Sequence, residues 1–384
     1  MQMSYWAMVL HFYQPPTQDV MTTRTILESC YLPLLRMLSR KSGFGLTFNM
    51  SGSLLVQLKQ LGTDEFFHLV RKLIDEKKVE IVTSVMYHPL MPLTPKDVLI
   101  RQIEKNNQTL KNLLGVEKIE GFFPPELAVN TASLDLVNQS YIIIDETALK
   151  TKSNLQQSLV KYRKKYLLIN NRQVCELMRS YPKKLSAKLV LEAQKNREEE
   201  GLIVIANDAE LFGHHYSERL EVLVDLLDRK DITFIKTSEA VAQFGDHAIS
   251  ISGIKDSTWQ DGQSFDLWTK NPLQKNYLKL LKATYELTSG SSDAAALDFF
   301  DQGNSSCYLY WLSNWPWWHP DLVESGAIQL IRTIRGLSIA KEDKIRLEKM
   351  YHSFLQRLWL YHWSGTVESK YKERDEELFA IRNK

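Results

Sequence analysis

Residues 202–215 read LIVIANDAELFGHH: an apolar run from Leu202 to Ala206 passes directly into Asn207, Asp208 and Glu210 and, after Leu211-Phe212-Gly213, into His214 and His215. The run is a strand by its composition. Two carboxylates and two histidines at its end are costly to bury without partners, and such clusters are commoner in active sites than in scaffolding. In a parallel α/β barrel the reacting groups gather where strands end on their C-terminal side. This stretch therefore sets the question for the rest of the chain: whether other strands end in the same manner.

Apolar runs of strand length recur at residues 5–11, 44–49, 79–83, 119–123, 142–145, 166–169 and 233–236. Helical patterns lie between them, among them residues 63–78 and 95–114, with Thr63 and Thr94 at the expected N-cap positions. Strands alternating with helices call for parallel strands joined by crossovers, hence an α/β fold and an incomplete (β/α) barrel. Residues 150–200 are lysine-rich and poorly periodic (KYRKK, YPKK, KNREEE) and are expected to be an excursion whose charges are solvated. After about residue 255 the strand signal fades and helical patterns take over at 274–288, 293–302, 321–339 and 341–362. Eight of the nine Trp lie in this last third (259, 268, 311, 315, 317, 318, 359 and 363). The expected organisation is a barrel over residues 1–255 and a Trp-rich helical domain over 256–384. With no linker-like or repeated segment, the helical domain is expected to pack against the barrel.

A chain of 384 residues accommodates such a plan. Forty-eight Lys and Arg against 46 Asp and Glu give a formal +2, with no basic stripe to track phosphates, so nucleic acid is not the expected partner. No stretch approaches a membrane helix, and the opening MQMSYWAMVLHFYQPP meets Tyr, His and Gln too early for a signal peptide. Cys30, Cys175 and Cys307 form neither a zinc pattern nor a disulfide framework, which points to a cytoplasmic location.

Three further strand ends carry polar groups. The first brings His11 and Gln14 ahead of Pro15-Pro16; the third, VEIVTSVMYHPL, ends in Ser84, Tyr87 and His88, with Glu80 inside the strand. A Glu in an apolar strand must be paired or face solvent, and Glu80 reads equally as structural or functional. The fourth, GFFPPELA, places Glu126 after two prolines that fix the backbone, although Pro-Glu also begins ordinary helices. Two carboxylates from different strand ends can cleave a glycosidic bond. At about 5–5.5 Å apart one attacks and the other cycles a proton; at about 6.5–9.5 Å a water fits between them.

With HFYQPP, VEIVTSVMYHPL, GFFPPELA and NDAELFGHH in this order over residues 11–215, the sequence resembles glycoside hydrolase family 57. That family comprises retaining α-glucan-active enzymes (amylases, 4-α-glucanotransferases, branching enzymes) and an α-galactosidase group. The resemblance implies an incomplete (β/α)7 barrel followed by a C-terminal α-helical domain packed against it and bordering the cleft. It also implies a retaining glycoside hydrolase or transglycosylase with no cofactor and no metal, with Glu126 as the nucleophile and Asp208 as the acid/base. His11, Gln14, His88, Glu210 and His214 would contact sugar hydroxyls or orient the carboxylates. Where many members carry Trp before the Pro-Glu, this chain has Phe-Phe-Pro. Trp315 and Trp317, in SCYLYWLSNWPWWHPDLVESGA, would stack on sugar rings, although such a cluster also serves as plain core. The substrate expected is an oligo- or polysaccharide, an α-glucan, and oligomeric state is left open. Three alternatives stand beside this reading: an exo-acting α-glycosidase such as an α-galactosidase, a metal-dependent deacetylase or hydrolase using Asp208 and nearby histidines, and a saccharide-binding protein without turnover.

Overall fold

Side chains alternate along the central strand β1 (Ser4–Phe12), and the alternation sorts them into two environments. Ala7 and Val9 cluster with Val82, Ile143, Leu168, Val204 and Ala206 of other strands, the small and branched residues that fill a barrel lumen. Trp6, Met8, Leu10 and Phe12 instead join Leu34, Leu35, Leu54 and Leu223 from the covering helices. The computed structural model describes residues 4–149, 158–179, 186–188, 190, 201–260, 264–288, 290–314 and 317–367.

β1 pairs in parallel with β2 (Leu46–Met50) and with β8 (Leu202–Asp208). β2 pairs with β3 (Val79–Val82), and Thr83, just beyond β3, bridges Phe122 of β4 (Gly121–Phe122). β4 pairs with β5 (Tyr141–Asp145), β5 with β7 (Lys165–Asn170), and β7 meets β8 at the single pair Asn170 and Val204. The ring β1-β2-β3-β4-β5-β7-β8 is thus a nearly closed barrel of seven parallel strands. β9 (Ile232–Ile235) pairs with the first half of β1, where β2 has not yet begun.

The seam between β7 and β8 has a local cause. β6 (Leu159–Tyr162) folds back antiparallel onto β7, and β10 (Ile249–Ile251) adds to β6. The hairpin occupies the edge of β7 that β8 would otherwise fill. Side chains complete what the ladder omits: Asn170 Oδ1 accepts the Ala206 N–H at 2.9 Å, Asn170 Nδ2 donates to Asp145 at 3.2 Å, and the Asn171 N–H reaches the Val204 carbonyl at 2.8 Å. Both the hairpin strand β6 and β10 escaped the sequence reading, β6 because it lies within the lysine-rich stretch expected as an excursion. Of that stretch, residues 158–179 form β6, β7 and the helix Arg172–Arg179.

Glu80 is a structural acceptor near the start of β3. Its Oε1 takes the Thr47 hydroxyl at 2.8 Å, the Thr237 hydroxyl at 2.6 Å and the Ser238 N–H at 3.0 Å. It ties β2 and β3 to the first turn of the helix Thr237–Phe244. Of the two expected threonine caps, Thr63 holds and Thr94 is corrected. Thr63 occupies its N-cap position but donates its hydroxyl back to Leu58 O, while Thr94 lies one residue outside its helix, whose N-cap is Pro95.

The chain divides into two compact units: the barrel with its helices, through Gln263, and a helical unit made of residues 15–17, 87–89 and the described residues from Ser264 onward. The helical unit contains Pro272–Thr288, Ala294–Gly303, Ser306–Tyr310, Pro320–Gly336 and Lys341–Trp363. Its interior is aromatic, with Tyr277 against Phe354 and Tyr308. Gly326 lets the Tyr308 ring lie against its helix, since a Cβ there would fall 2.5 Å from ring carbons.

Replacing Asn170 with Ala strands the Ala206 N–H and one Asp145 oxygen in the interior. The expected loss is about 2–4 kcal/mol of unfolding free energy; denaturant titration of the variant against the parent chain reads it.

Candidate active site

The row that closes the top of the lumen is set by strand register. His11 on β1 stands opposite Asn49 on β2 and opposite Asp208 on β8, so three inward-pointing polar residues sit side by side. Asn49 is fully buried and its Nδ2 donates to the carbonyls of Val82 (3.1 Å) and Thr83 (3.3 Å). That commits its Oδ1 to accept from His11 Nδ1 at 2.7 Å, which places the ring proton on Nδ1 and the lone pair of the neutral ring on Nε2. The imidazole is stacked on Phe123, with centroids 4.8 Å apart. Burial lowers the His11 pKa and the negative Asp208 opposes that fall, so His11 is neutral at pH 7.

Glu126 follows β4 on a single 3₁₀ turn, Pro125–Leu127. Prolines at 124 and 125 lead into two successive non-glycine residues in the left-handed region, Glu126 at φ 58° and Leu127 at φ 45°. That conformation is strained and persists only where surroundings over-determine it. The determinants here come from Trp259 and Gln260: the Trp259 N–H donates to the Glu126 carbonyl at 3.1 Å, the Trp259 indole donates to Oε2 at 2.9 Å, and Gln260 Nε2 reaches the same oxygen at 3.4 Å. Burial pushes the Glu126 carboxyl up to about 7, with the charge of Asp208 adding to the rise. The Trp259 and Gln260 hydrogen bonds and the positive Arg179 work against it. Asp208, the last residue of β8, is partly open to solvent.

The second carboxylate of the β8 end is differently housed. Glu210 is buried on the turn Ala209–Leu211, and its Oε1 receives the Tyr31 hydroxyl, Gln14 Nε2 at 3.1 Å and the Tyr13 N–H at 3.4 Å. Burial first, and then Asp208, pushes it up to about 8. Gln14 is therefore engaged with Glu210 and with the Tyr31 oxygen, at 3.2 Å. The Glu210 carbonyl accepts the backbone N–H groups of His214 and His215, whose rings are exposed. Gly213 makes this reversal possible: at φ 142° a Cβ would sit 2.6 Å from the Ser29 carbonyl oxygen.

The structure thus brings Glu126, Asp208, His11, Gln14 and Glu210 together at the strand ends. His88 belongs to the helical unit, where its ring pairs with the Ser306 hydroxyl at 3.1 Å and its carbonyl accepts the Ser306 N–H. Trp317, also in that unit, is 49% exposed and stacked on His319. Trp315 lies outside the described residues. Among the described residues no three His, Cys, Asp or Glu side chains converge as metal ligands would.

Asn49, Tyr31, Trp259, Gln260 and Arg179 escaped the sequence reading. Trp259 carries a visible signal, a lone Trp between polar residues in STWQ just past the last strand, but by position it falls in the Trp-rich last third.

The family model described as glycosyl hydrolase family 57 matches residues 4–253, which takes in every one of these strand ends. The chain belongs to glycosyl hydrolase family 57. Within the family it is 28% identical over 150 residues to a 4-alpha-glucanotransferase of Thermococcus kodakarensis, covering 38% of this chain and 22% of that protein. It is 22% identical over 166 residues to alpha-amylase 1 of Dictyoglomus thermophilum, covering 41% of this chain and 23% of the relative. The matched stretch thus spans less than a quarter of either curated relative. Among solved structures, a family 57 branching enzyme from Pyrococcus horikoshii superposes with a TM-score of 0.70 at 14% identity, covering 91% of this chain and 94% of that one. The last likeness shows the shared fold, the seven-stranded barrel followed by a helical region.

Raised carboxyls make folding pH-dependent in a definite direction. The folded chain keeps the Glu210 proton that the unfolded chain releases near the ordinary carboxylate value of about 4.3. Its contribution is therefore full below that value and lost as pH rises toward about 8. Unfolding free energy measured from pH 5 to pH 8 should decline less steeply in Glu210→Gln than in the parent chain.

Proposed function

We propose that this chain is a retaining glycoside hydrolase or transglycosylase acting on α-linked glucans, of the amylase or 4-α-glucanotransferase type. The observation that carries the reading is the convergence of two carboxyls from different strand ends, Glu126 and Asp208, close enough that the charge of Asp208 raises the pKa of Glu126, which is buried among donors. Family membership and the names of the relatives support the substrate class.

In this reading Glu126 attacks the anomeric carbon and Asp208 protonates the departing oxygen, forming a covalent glycosyl-enzyme. Asp208 then takes a proton from water, or from a sugar hydroxyl in transfer. Burial opposes ionisation of Glu126, and its neighbours oppose burial. The Trp259 indole, the Gln260 amide and the Arg179 charge all favour ionised Glu126, as a nucleophile needs. Asp208 at the open end of β8 can exchange protons with a leaving group and with water. Neutral His11, fixed by Asn49, and buried Glu210 with Gln14 hold the wall around Asp208, and His214, His88, Trp317 and Trp315 remain the proposed sugar contacts. The three cysteines are free thiols, in keeping with a reducing cytoplasm.

Incubation with maltoheptaose and with amylose separates the two activities: shorter maltosaccharides alone mean hydrolysis, and a ladder above seven units means transfer. Glu126→Gln and Asp208→Asn should each lower turnover roughly a thousandfold or more with the fold retained; near-normal rates in either would overturn the assignment.

Glu126 must be ionised to attack, so kcat/KM should fall as pH drops below about 7. Trp259→Phe removes a hydrogen bond to a charged group, worth about 1.5–3 kcal/mol. That loss raises the Glu126 pKa and moves the acid limb of the pH profile upward by roughly one to two units.

A further inference from the structure

The two donors on Glu126 come from a stretch of chain, Thr258-Trp259-Gln260, that lies outside helix and strand. Its side chains point their N–H groups at Oε2, so its geometry has to be set from the backbone. On one side the Ser257 backbone exchanges two hydrogen bonds with Val129 (2.9 and 3.0 Å), and the Ser257 hydroxyl meets the Thr147 hydroxyl at 2.7 Å. On the other side stand two arginines of one helix, Arg172–Arg179. Seven residues apart, they lie two turns from each other on the same face.

These arginines take three successive carbonyl oxygens. Arg172 donates to Gln260 O at 2.7 Å and to Thr258 O at 3.5 Å, and Arg179 donates to Trp259 O at 3.1 Å. The Arg179 guanidinium also stands 5.4 Å from the Trp259 ring centroid. Arg172 is itself anchored to the barrel: it pairs with Asp145, the fully buried end of β5, at 3.3 Å, and with Glu176 at 2.6 Å. Asp145 is held in turn by Asn170 and by Thr147. A chain of charge-assisted contacts therefore runs from the ends of β5 and β7 through the Arg172 guanidinium to the carbonyls on either side of Trp259, and Arg179 adds its own contact to the Trp259 carbonyl.

We propose that Arg172 and Arg179 are positioning residues for the glycosidic reaction: they bracket the Thr258–Gln260 backbone and so aim the Trp259 and Gln260 donors at Oε2 of Glu126. The assignment rests on Glu126 being the nucleophile. Neither arginine touches the reacting atoms in this scheme. The planar fork of Arg179, which grips a carbonyl while lying against an indole face, is the part a lysine reproduces poorly.

The test compares Arg179→Gln and Arg179→Lys with the parent chain and with Glu126→Gln. Arg172 is left in place because its removal leaves Asp145 buried with one cation fewer. Arg179→Gln should lower kcat on maltoheptaose roughly 10–100-fold, the scale of a displaced catalytic group, with KM changed less than threefold. Arg179→Lys should recover part of that loss. Hydrogen exchange, followed by mass spectrometry on peptides covering residues 254–260, should be at least tenfold faster in Arg179→Gln, with the barrel strands unchanged. Either a kcat or an exchange rate within twofold of the parent chain overturns the bracket. Exchange needs no substrate, so the bracket is read even if the parent chain proves inactive on α-glucans. That inactivity would count against the proposed function instead, whereas an inactive Glu126→Gln beside a fully active Arg179→Gln would remove the bracket alone.

Discussion

A carboxyl group taken out of water has to be surrounded by donors, and much of the upper barrel is arranged around meeting that demand at Glu126. Its backbone is held in the left-handed region by the prolines before it and by Trp259, which donates from both its main chain and its indole. Without those donors burial alone would keep the group protonated; with them the proton is poised near neutrality. The site is accordingly less a set of side chains facing a cavity than a strained turn and a loop that define each other.

The same inward-facing alternation has opposite uses at the two ends of the lumen. Near the strand starts, Thr47 and Glu80 meet Thr237 and Ser238, and these bonds are internal to the scaffold. At the strand ends, Asn49, His11 and Asp208 occupy the equivalent inward positions, but the row is terminated by a carboxylate partly open to solvent. One β-sheet periodicity thus supplies a stabilising plug below and a reactive surface above, which is the division of labour expected of this architecture.

Much of this was legible in the residues themselves. All eight apolar runs read as strands are strands, because a buried parallel strand needs continuous apolar character and that pattern is local. The polar groups ending those runs, His11, Glu126 and Asp208, were legible for the same reason. What stayed hidden depends on contacts across the chain. Trp259 meets Glu126 from 133 positions away, and Tyr31 meets Glu210 from 179 positions away. No periodicity announces such pairs. Gln14 was singled out correctly as a polar group at a strand end, yet only the fold reveals that its amide faces Glu210. The partner strand β6 of the hairpin is hidden because its four residues, Leu159–Tyr162, sit among lysines that read as a solvated excursion.

That hairpin leaves its mark on the arc between the two carboxyls. Around the ring the shorter path from β4, which leads into Glu126, to β8, which ends in Asp208, passes through β5 and β7 and crosses the seam where one residue pair replaces a ladder. On that side the contact between β7 and β8 is made by the Asn170 side chain rather than by a row of main-chain bonds. The gap in this barrel therefore lies on the shorter arc between the two strand ends that carry Glu126 and Asp208, and a single buried asparagine bridges it.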